Sequence, residues 1–156
     1  MDVFLIRHAE AADGGPDAAR PLTSKGRDDF EKVVRGLGAL DVRLSRICHS
    51  PLLRAAQTAE LLTPLLSRSG VTVATPLLAE PPSASIVTLL EGDAVALVGH
   101  QPWMAELLAM MLHGSRATAV GFDFKKGAVA WLEGSPSLGH LTQRAFLPPS
   151  VTKRLA

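Results

Sequence analysis

The chain lacks most of the features that would assign it to a specialised class of protein. Cys48 is its only cysteine, which excludes a disulfide framework and a cysteine-based zinc site. Basic and acidic residues nearly balance, at a net charge of +1, and no dense basic stretch indicates a nucleic-acid or membrane surface. The apolar run 103–112 contains Glu106 and is too short to cross a bilayer. The N-terminus shows no signal-peptide pattern, so we expect a cytoplasmic protein.

The remaining composition, 47% hydrophobic and 20% charged over 156 residues, predicts one folded domain spanning 1–156. Short apolar runs alternate with helical patterns, which predicts an α/β fold. We expect a three-layer sandwich, with a mostly parallel central sheet, helices on both faces and a strand-rich C-terminal part. The predicted strands are 3–6, 46–49, 71–74, 94–98, 128–132 and 141–147, and the predicted helices follow Thr23, Ser50 and Pro102 or span 83–91.

Capping residues mark several of the helix boundaries. Thr23 and Ser50 are predicted N-caps, and Pro51 is expected at the first position of the second helix. Gly114 is expected to end the helix that begins near Pro102.

Three of the predicted strands end in cationic residues. Arg7 and His8 follow the first strand, the turn 50–54 with Arg54 follows the second, and His100 follows the strand at 94–98. Ligands bind outside the carboxyl ends of the strands in such sheets, so we expect these side chains in one pocket. An arginine donates two hydrogen bonds to two oxygens and keeps its proton, and a helix start such as that near Arg54 favours an anion. The pattern therefore predicts a phosphoryl site.

His8 is the candidate nucleophile of this site. A neutral imidazole attacks phosphorus through one ring nitrogen when a backbone carbonyl holds the other as an N–H donor. Water would then cleave the phosphohistidine intermediate. Glu80, in the loop after the third strand, is the candidate proton donor, and Glu10 and Asp13 on the first loop are weaker candidates. A ring-nitrogen leaving group reduces the need for a strong acid, because its P–N bond is labile once that nitrogen is protonated.

The order of these motifs resembles that of a known family. The motifs are Arg7-His8, then Ser50-Pro51-x-x-Arg54 followed by Gln57-Thr58-Ala59, and then Val98-Gly99-His100. Together they resemble the histidine phosphatase superfamily, also called phosphoglycerate-mutase-like. The short length and two further motifs resemble its SixA-type phosphohistidine phosphatases. These motifs are Arg7-His8-Ala9-Glu10-Ala11 and Arg20-Pro21-Leu22-Thr23 with Gly26.

The resemblance implies roles for particular residues. The family's nucleophile falls on His8 and its phosphate ligands on Arg7, Arg54 and His100, with Arg20 as a further anion contact at the edge of the pocket. The long insertions that cap the site in metabolite-specific relatives are missing here. This implies an open, shallow pocket that would admit a phosphorylated protein side chain.

The leading hypothesis is a phosphatase without cofactor or metal that acts on phosphohistidine in a protein, such as a phosphotransfer domain of a signalling relay. No metal site is expected, because His8 and His100 lack a carboxylate set at ligand spacing and arginines would repel a cation. One alternative is a phosphomonoesterase for a small metabolite or phospho-Ser/Thr, with Glu80 as proton donor. Another is a non-catalytic module that binds a phospho-ligand, although binding alone does not need His8. Mutase activity is the least favoured.

Overall fold

The computed structural model describes residues 1–156, apart from the side chain of Thr118. Its centre is a six-stranded sheet in the order β3-β2-β4-β1-β5-β6. Strands β1 to β4 are parallel, whereas β5 and β6 add to one edge in antiparallel pairs. The mostly parallel sheet and the strand-rich C-terminal part are thereby confirmed. The strands are β1 (Asp2–Arg7), β2 (Leu44–His49), β3 (Leu66–Ala74), β4 (Ala94–Gly99), β5 (Val129–Gly134) and β6 (Leu141–Leu147).

Helices cover both faces of this sheet, as predicted. Phe4 and Ile6 of β1 belong to the apolar cluster formed with the first two helices. Val3 and Leu5, which point to the opposite face of the same strand, belong to the cluster formed with the third helix. No helix in the described part of the chain is both long and apolar enough to cross a membrane. The helices are α1 (Ser24–Ala39), α2 (Leu53–Leu61), α3 (Trp103–His113) and the short α4 (Pro149–Thr152).

Two of the predicted helix boundaries are confirmed. The Thr23 hydroxyl accepts a hydrogen bond from the backbone N–H of Gly26 at 2.9 Å and caps α1. Gly114 has φ 75°, a left-handed conformation that ends α3. A Cβ on Gly26 would lie 2.2 Å from the carbonyl oxygen of Glu10, so only glycine lets α1 begin this close to the segment after β1.

Two other helix predictions are wrong in detail. Helix α2 begins at Leu53, with Leu52 as its N-cap, so Ser50 is not a helix cap and Pro51 lies before the helix. The segment 83–91 contains a 3-10 helix, Ala84–Leu89, instead of an α-helix. Its consecutive β-branched residues at 86–88 have low α-helix propensity, and its two buried side chains are three residues apart, a spacing that suits a 3-10 turn.

Candidate active site

The three central strands of the sheet bring the predicted cationic residues to one edge. Arg7 ends β1 and His8 follows it, while His100 directly follows the neighbouring β4. Arg54 is the second residue of α2, which comes after β2 on the other side of β4. The rings of His8 and His100 lie 5.1 Å apart between their centroids. The backbone N–H of His8 donates to the Gly99 carbonyl at 3.0 Å, which ties the two strand ends together.

His8 is held in the orientation that a nucleophilic imidazole requires. Its Nδ1 lies 2.7 Å from the carbonyl oxygen of Ala9, and because a carbonyl only accepts, Nδ1 carries the ring proton and Nε2 keeps its lone pair. The N–H of Ala9 donates to the Thr58 hydroxyl at 3.0 Å, which in turn donates to the Arg54 carbonyl at 2.7 Å. Burial, together with the nearby cationic groups, lowers the pKa of His8 to about 3. The imidazole is therefore neutral at physiological pH.

Both arginines are anchored at one end and leave a nitrogen unused. Arg7 donates from one terminal nitrogen to the Phe124 carbonyl, and Arg54 donates likewise to the Asp17 carbonyl, each at 2.8 Å. The Nε atoms of both are buried and have no hydrogen-bond partner among the described residues. The same holds for Nδ1 of His100. Buried polar atoms are rarely left unpaired in proteins, so three of them around His8 indicate the place of an anionic ligand.

Ser50 sets the orientation of His100. Its hydroxyl lies 2.7 Å from Nε2 of His100 and also accepts the N–H of Leu52 at 3.2 Å, and the side chain is fully buried. With the hydroxyl hydrogen directed to Nε2, the ring proton of His100 lies on the unpartnered Nδ1, which can then donate to an anion. Burial and the charge of Arg54 lower the pKa of His100 to about 4, so this ring is neutral as well. Sequence reasoning missed this role and treated Ser50 as a cap.

A loop that we call the strap, residues 12–21, lies at the exposed edge of this site. Its ends are joined by a hydrogen bond from the N–H of Ala12 to the carbonyl of Pro21 at 2.8 Å. Asp17 lies between two guanidinium groups, with Oδ2 at 3.3 Å from Arg54 and Oδ1 at 3.2 Å from Nε of Arg20. The Arg54 charge holds the pKa of the Asp17 carboxyl below its usual range. Sequence reasoning did not identify Asp17, although an acid three residues before Arg20 in this loop was a usable signal.

Arg20 and Glu80, the remaining predicted cation and acid, differ in their contacts with the site. Arg20 lies on the strap and is paired with Asp17, so its guanidinium reaches the exposed edge of the site. Glu80 is exposed, and no hydrogen bond or ion pair joins its carboxylate to the described residues. Its segment does run close to the site, because a Cβ on Gly99 would lie 3.0 Å from the Leu78 carbonyl oxygen.

The two weaker acid candidates are directed elsewhere. Glu10 accepts a hydrogen bond from the Thr23 hydroxyl at 2.9 Å and so braces the start of α1. The Asp13 side chain extends fully into solvent, 3.8 Å from Arg20. Within the described part of the chain, no group of three or more His, Cys, Asp or Glu side chains could hold a metal ion.

Comparisons with known proteins find related sequences and a related structure. The family model described as histidine phosphatase superfamily (branch 1) matches residues 3–80. The phosphohistidine phosphatase SixA of Escherichia coli is 32% identical over 122 residues, which cover 73% of this chain and 76% of that protein. An uncharacterized protein of Picosynechococcus is 33% identical over 158 residues, covering 94% of each chain. The solved structure of SixA complexed with tungstate superposes with a TM-score of 0.81 at 29% identity, covering 96% of this chain and 98% of that one.

Proposed function

Because this chain belongs to the histidine phosphatase superfamily and is a phosphatase of the phosphohistidine phosphatase-like kind, we propose that its substrate is phosphohistidine in a protein. The observation that carries the proposal is a set of three buried nitrogens around a neutral His8, none of which has a hydrogen-bond partner among the described residues. They belong to Arg7, Arg54 and His100, the residues to which we assign phosphate binding. The SixA structure was solved in complex with tungstate, a tetrahedral oxyanion of the same shape as phosphate, which is in keeping with this proposal.

The proposed reaction has two displacements at phosphorus. Nε2 of His8 attacks, the bond from phosphorus to the leaving nitrogen breaks, and the phosphoryl group is transferred to His8. Arg7, Arg54 and His100 donate to the three equatorial oxygens, whose charge must be stabilised in the transition state. The Ala9 carbonyl stabilises the positive charge that the ring gains, since it accepts the Nδ1 proton. Water then attacks phosphorus, the P–Nε2 bond breaks and phosphate leaves, with the proton of the water passing to phosphate or solvent.

One observation favours a protein-bound substrate over a small metabolite. The acidic side chains at the edge of the site, Asp17 and Glu80, are both exposed, so the site is open toward solvent on this side. Such an opening suits a side chain presented by a protein surface. We propose a histidine-phosphorylated carrier or phosphotransfer domain as the partner, and the cytoplasm as the place where the two meet.

The second candidate function is a phosphomonoesterase for a metabolite or for phospho-Ser/Thr. It is favoured by one observation, the closeness of the Leu78 carbonyl to Gly99, which brings the Glu80 segment beside the end of β4. Glu80 would then have to protonate an oxygen leaving group.

The test is the release of phosphate from a histidine-phosphorylated carrier protein in the presence of EDTA. An aryl phosphate serves as the parallel substrate, and wild type is compared with His8→Ala. Rapid release from the carrier that is lost in His8→Ala, by about 10³-fold or more, is expected for removal of a nucleophile. His140→Ala, which changes an exposed histidine, is the matched control. Fast turnover of the aryl ester with no effect on the carrier would instead favour the second candidate.

A further inference from the structure

The strap carries a carboxylate that the two displacements do not use. Asp17 holds the outer side of Arg54 through its backbone carbonyl at 2.8 Å and through Oδ2 at 3.3 Å. Its other oxygen, Oδ1, accepts from Nε of Arg20 at 3.2 Å. A carboxylate has about four lone-pair positions, so about two stay open to a ligand.

These open positions lie on the side of the site that faces solvent. The Arg54 side chain is 8% exposed, whereas that of Asp17 is 69% exposed, so the carboxylate lies on the solvent side of the guanidinium. The Nε atom of Arg54, in contrast, is buried and unpartnered among the described residues. A phosphoryl group resting on that atom is attacked from the buried side by His8. Its leaving group therefore points outward, beside the strap.

We propose that Asp17 determines specificity for a nitrogen leaving group, by accepting a hydrogen bond from the N–H of the substrate imidazole ring. This inference rests on the proposed hydrolysis of phosphohistidine and assigns a residue to the choice of that substrate. Asp17 differs from Glu80 in this respect, because it is joined to the site by hydrogen bonds.

The bonds and protons of this step balance without an external acid. In phosphohistidine whose second ring nitrogen is protonated, the ring is a cation, and Asp17 accepts its N–H. When Nε2 of His8 bonds to phosphorus, the electron pair of the breaking P–N bond returns to the leaving nitrogen. The departing ring is then neutral imidazole, and it keeps the proton that faced Asp17. No proton is transferred in this displacement.

The same carboxylate disfavours an oxygen leaving group. Arg54 keeps the pKa of the Asp17 carboxyl low, so the group is ionised and has no proton to give to a departing oxygen. An aryl or alkyl ester develops negative charge on its leaving oxygen, and the negative carboxylate repels that charge. Asp17 thus favours the departure of a nitrogen leaving group and opposes the departure of an oxygen leaving group.

The test compares N-phosphoimidazole with an aryl phosphate in Asp17→Asn, measured as kcat/KM. Asparagine keeps a carbonyl oxygen for Arg54 and leaves the backbone contact in place, so the arginine stays held while the charge is lost. We expect kcat/KM for N-phosphoimidazole to fall by about 10- to 100-fold, the effect of a charge-assisted hydrogen bond. For the aryl phosphate we expect no loss, or a rise.

Two further variants and the wild type separate the outcomes. Asp13→Asn removes a charge from the same strap, also near Arg20, and we expect both rates to stay unchanged. Asp17→Ala also removes the contact of the side chain with Arg54, and we expect both rates to fall. An equal loss on both substrates in Asp17→Asn would overturn the inference, and so would no loss on either. If wild type hydrolyses neither N-phosphoimidazole nor the phosphorylated carrier, the proposed function itself fails.

Discussion

Two regions of the site, which we call the floor and the rim, differ in burial and in the way they are held. The floor consists of Arg7, His8, Ser50, Arg54 and His100, and the rim of Asp17, Arg20 and Glu80. On the floor, His8, Arg54 and His100 are 6% to 7% exposed and are tied to backbone carbonyls or to a buried hydroxyl. On the rim, Asp17 is 69% exposed in its side chain and Glu80 is exposed too.

Because of this difference, the floor and the rim suit different parts of the substrate. Buried donors with fixed positions suit a group that is the same in every substrate, the phosphoryl group, because preorganised donors need no rearrangement during the reaction. Exposed side chains on loops suit the part that varies, the leaving group and the protein surface around it. Changes on the floor are therefore expected to affect all phosphorylated substrates alike, and changes on the rim to affect some more than others.

The largest effect is expected for Arg54→Lys on the floor. Lysine has a single ammonium group in place of the planar fork, so it cannot hold the Asp17 carbonyl and donate to a phosphoryl oxygen from two fixed nitrogens. We expect kcat/KM to fall by about 10²-fold for both the carrier and an aryl phosphate. Steady-state kinetics on both substrates measure this, with the exposed Arg35→Lys as control. A loss confined to one substrate would contradict the assignment of Arg54 to the floor.

The two buried histidines make the floor sensitive to acid. Burial lowers the pKa of His8 to about 3 and that of His100 to about 4, so between pH 6.5 and about 4 the unfolded chain binds protons that the native chain does not. Stability must therefore fall as the pH falls through this range. At pH 5 the free energy of unfolding is expected to be lower than at pH 8 by about 2 kcal/mol for each histidine.

Urea unfolding at pH 8 and pH 5 measures this loss. In His8→Asn, the difference in the free energy of unfolding between pH 8 and pH 5 should be smaller than in wild type, because one of the two groups no longer titrates. In the control variant His113→Asn, which changes an exposed histidine, this free-energy difference should be the same as in wild type. An equal pH dependence in wild type and His8→Asn would show that His8 is not held neutral by burial.

A smaller effect is expected for Ser50→Ala. Without the hydroxyl, Nε2 of His100 loses its partner at 2.7 Å, and the proton on Nδ1 is no longer favoured. We expect about a tenfold loss in kcat/KM on both substrates. The 15N chemical shifts of the His100 ring report the tautomer directly and should show the Nδ1–H form in wild type and a mixture in the variant. Ser137→Ala, at an exposed position, is the control, and an unchanged tautomer in Ser50→Ala would contradict the role.

The smallest effect is expected for Glu80→Gln on the rim. Its carboxylate is exposed and has no partner within the described residues, so turnover of the phosphorylated carrier should change by less than about threefold. A much larger loss of turnover with an alkyl phosphate than with an aryl phosphate would contradict this expectation and identify Glu80 as a general acid. The two esters, measured side by side, decide between these outcomes.

Sequence patterns predicted which residues the strand ends bring together, but not the long-range contacts that hold them, for a physical reason. Arg7, His8 and His100 adjoin strands whose apolar runs are easy to recognise, and parallel strands deliver their ends to one edge. The contact of Asp17 with Arg54 joins residues 37 apart, and that of Ser50 with His100 joins residues 50 apart. Such partners depend on the folded path of a loop or on the rotamer of a buried side chain, and neither has a periodic pattern in the sequence.

The closed base of the strap has a consequence for how this protein could diversify. Ala12 and Pro21 are joined by one hydrogen bond, and just outside them Ala11 and Leu22 form an antiparallel bridge, so the loop leaves and rejoins the body at one place. Lengthening a loop that is already closed costs little, roughly 0.6 kcal/mol for each doubling. Insertions at Gly14 and Gly15, where an added Cβ would meet no described atom within 4 Å, should therefore be tolerated as long as Asp17 keeps its contacts with Arg54. This part of the strap is a place where new substrate preferences can be acquired, by evolution or by grafting, while Asp17 continues to hold Arg54.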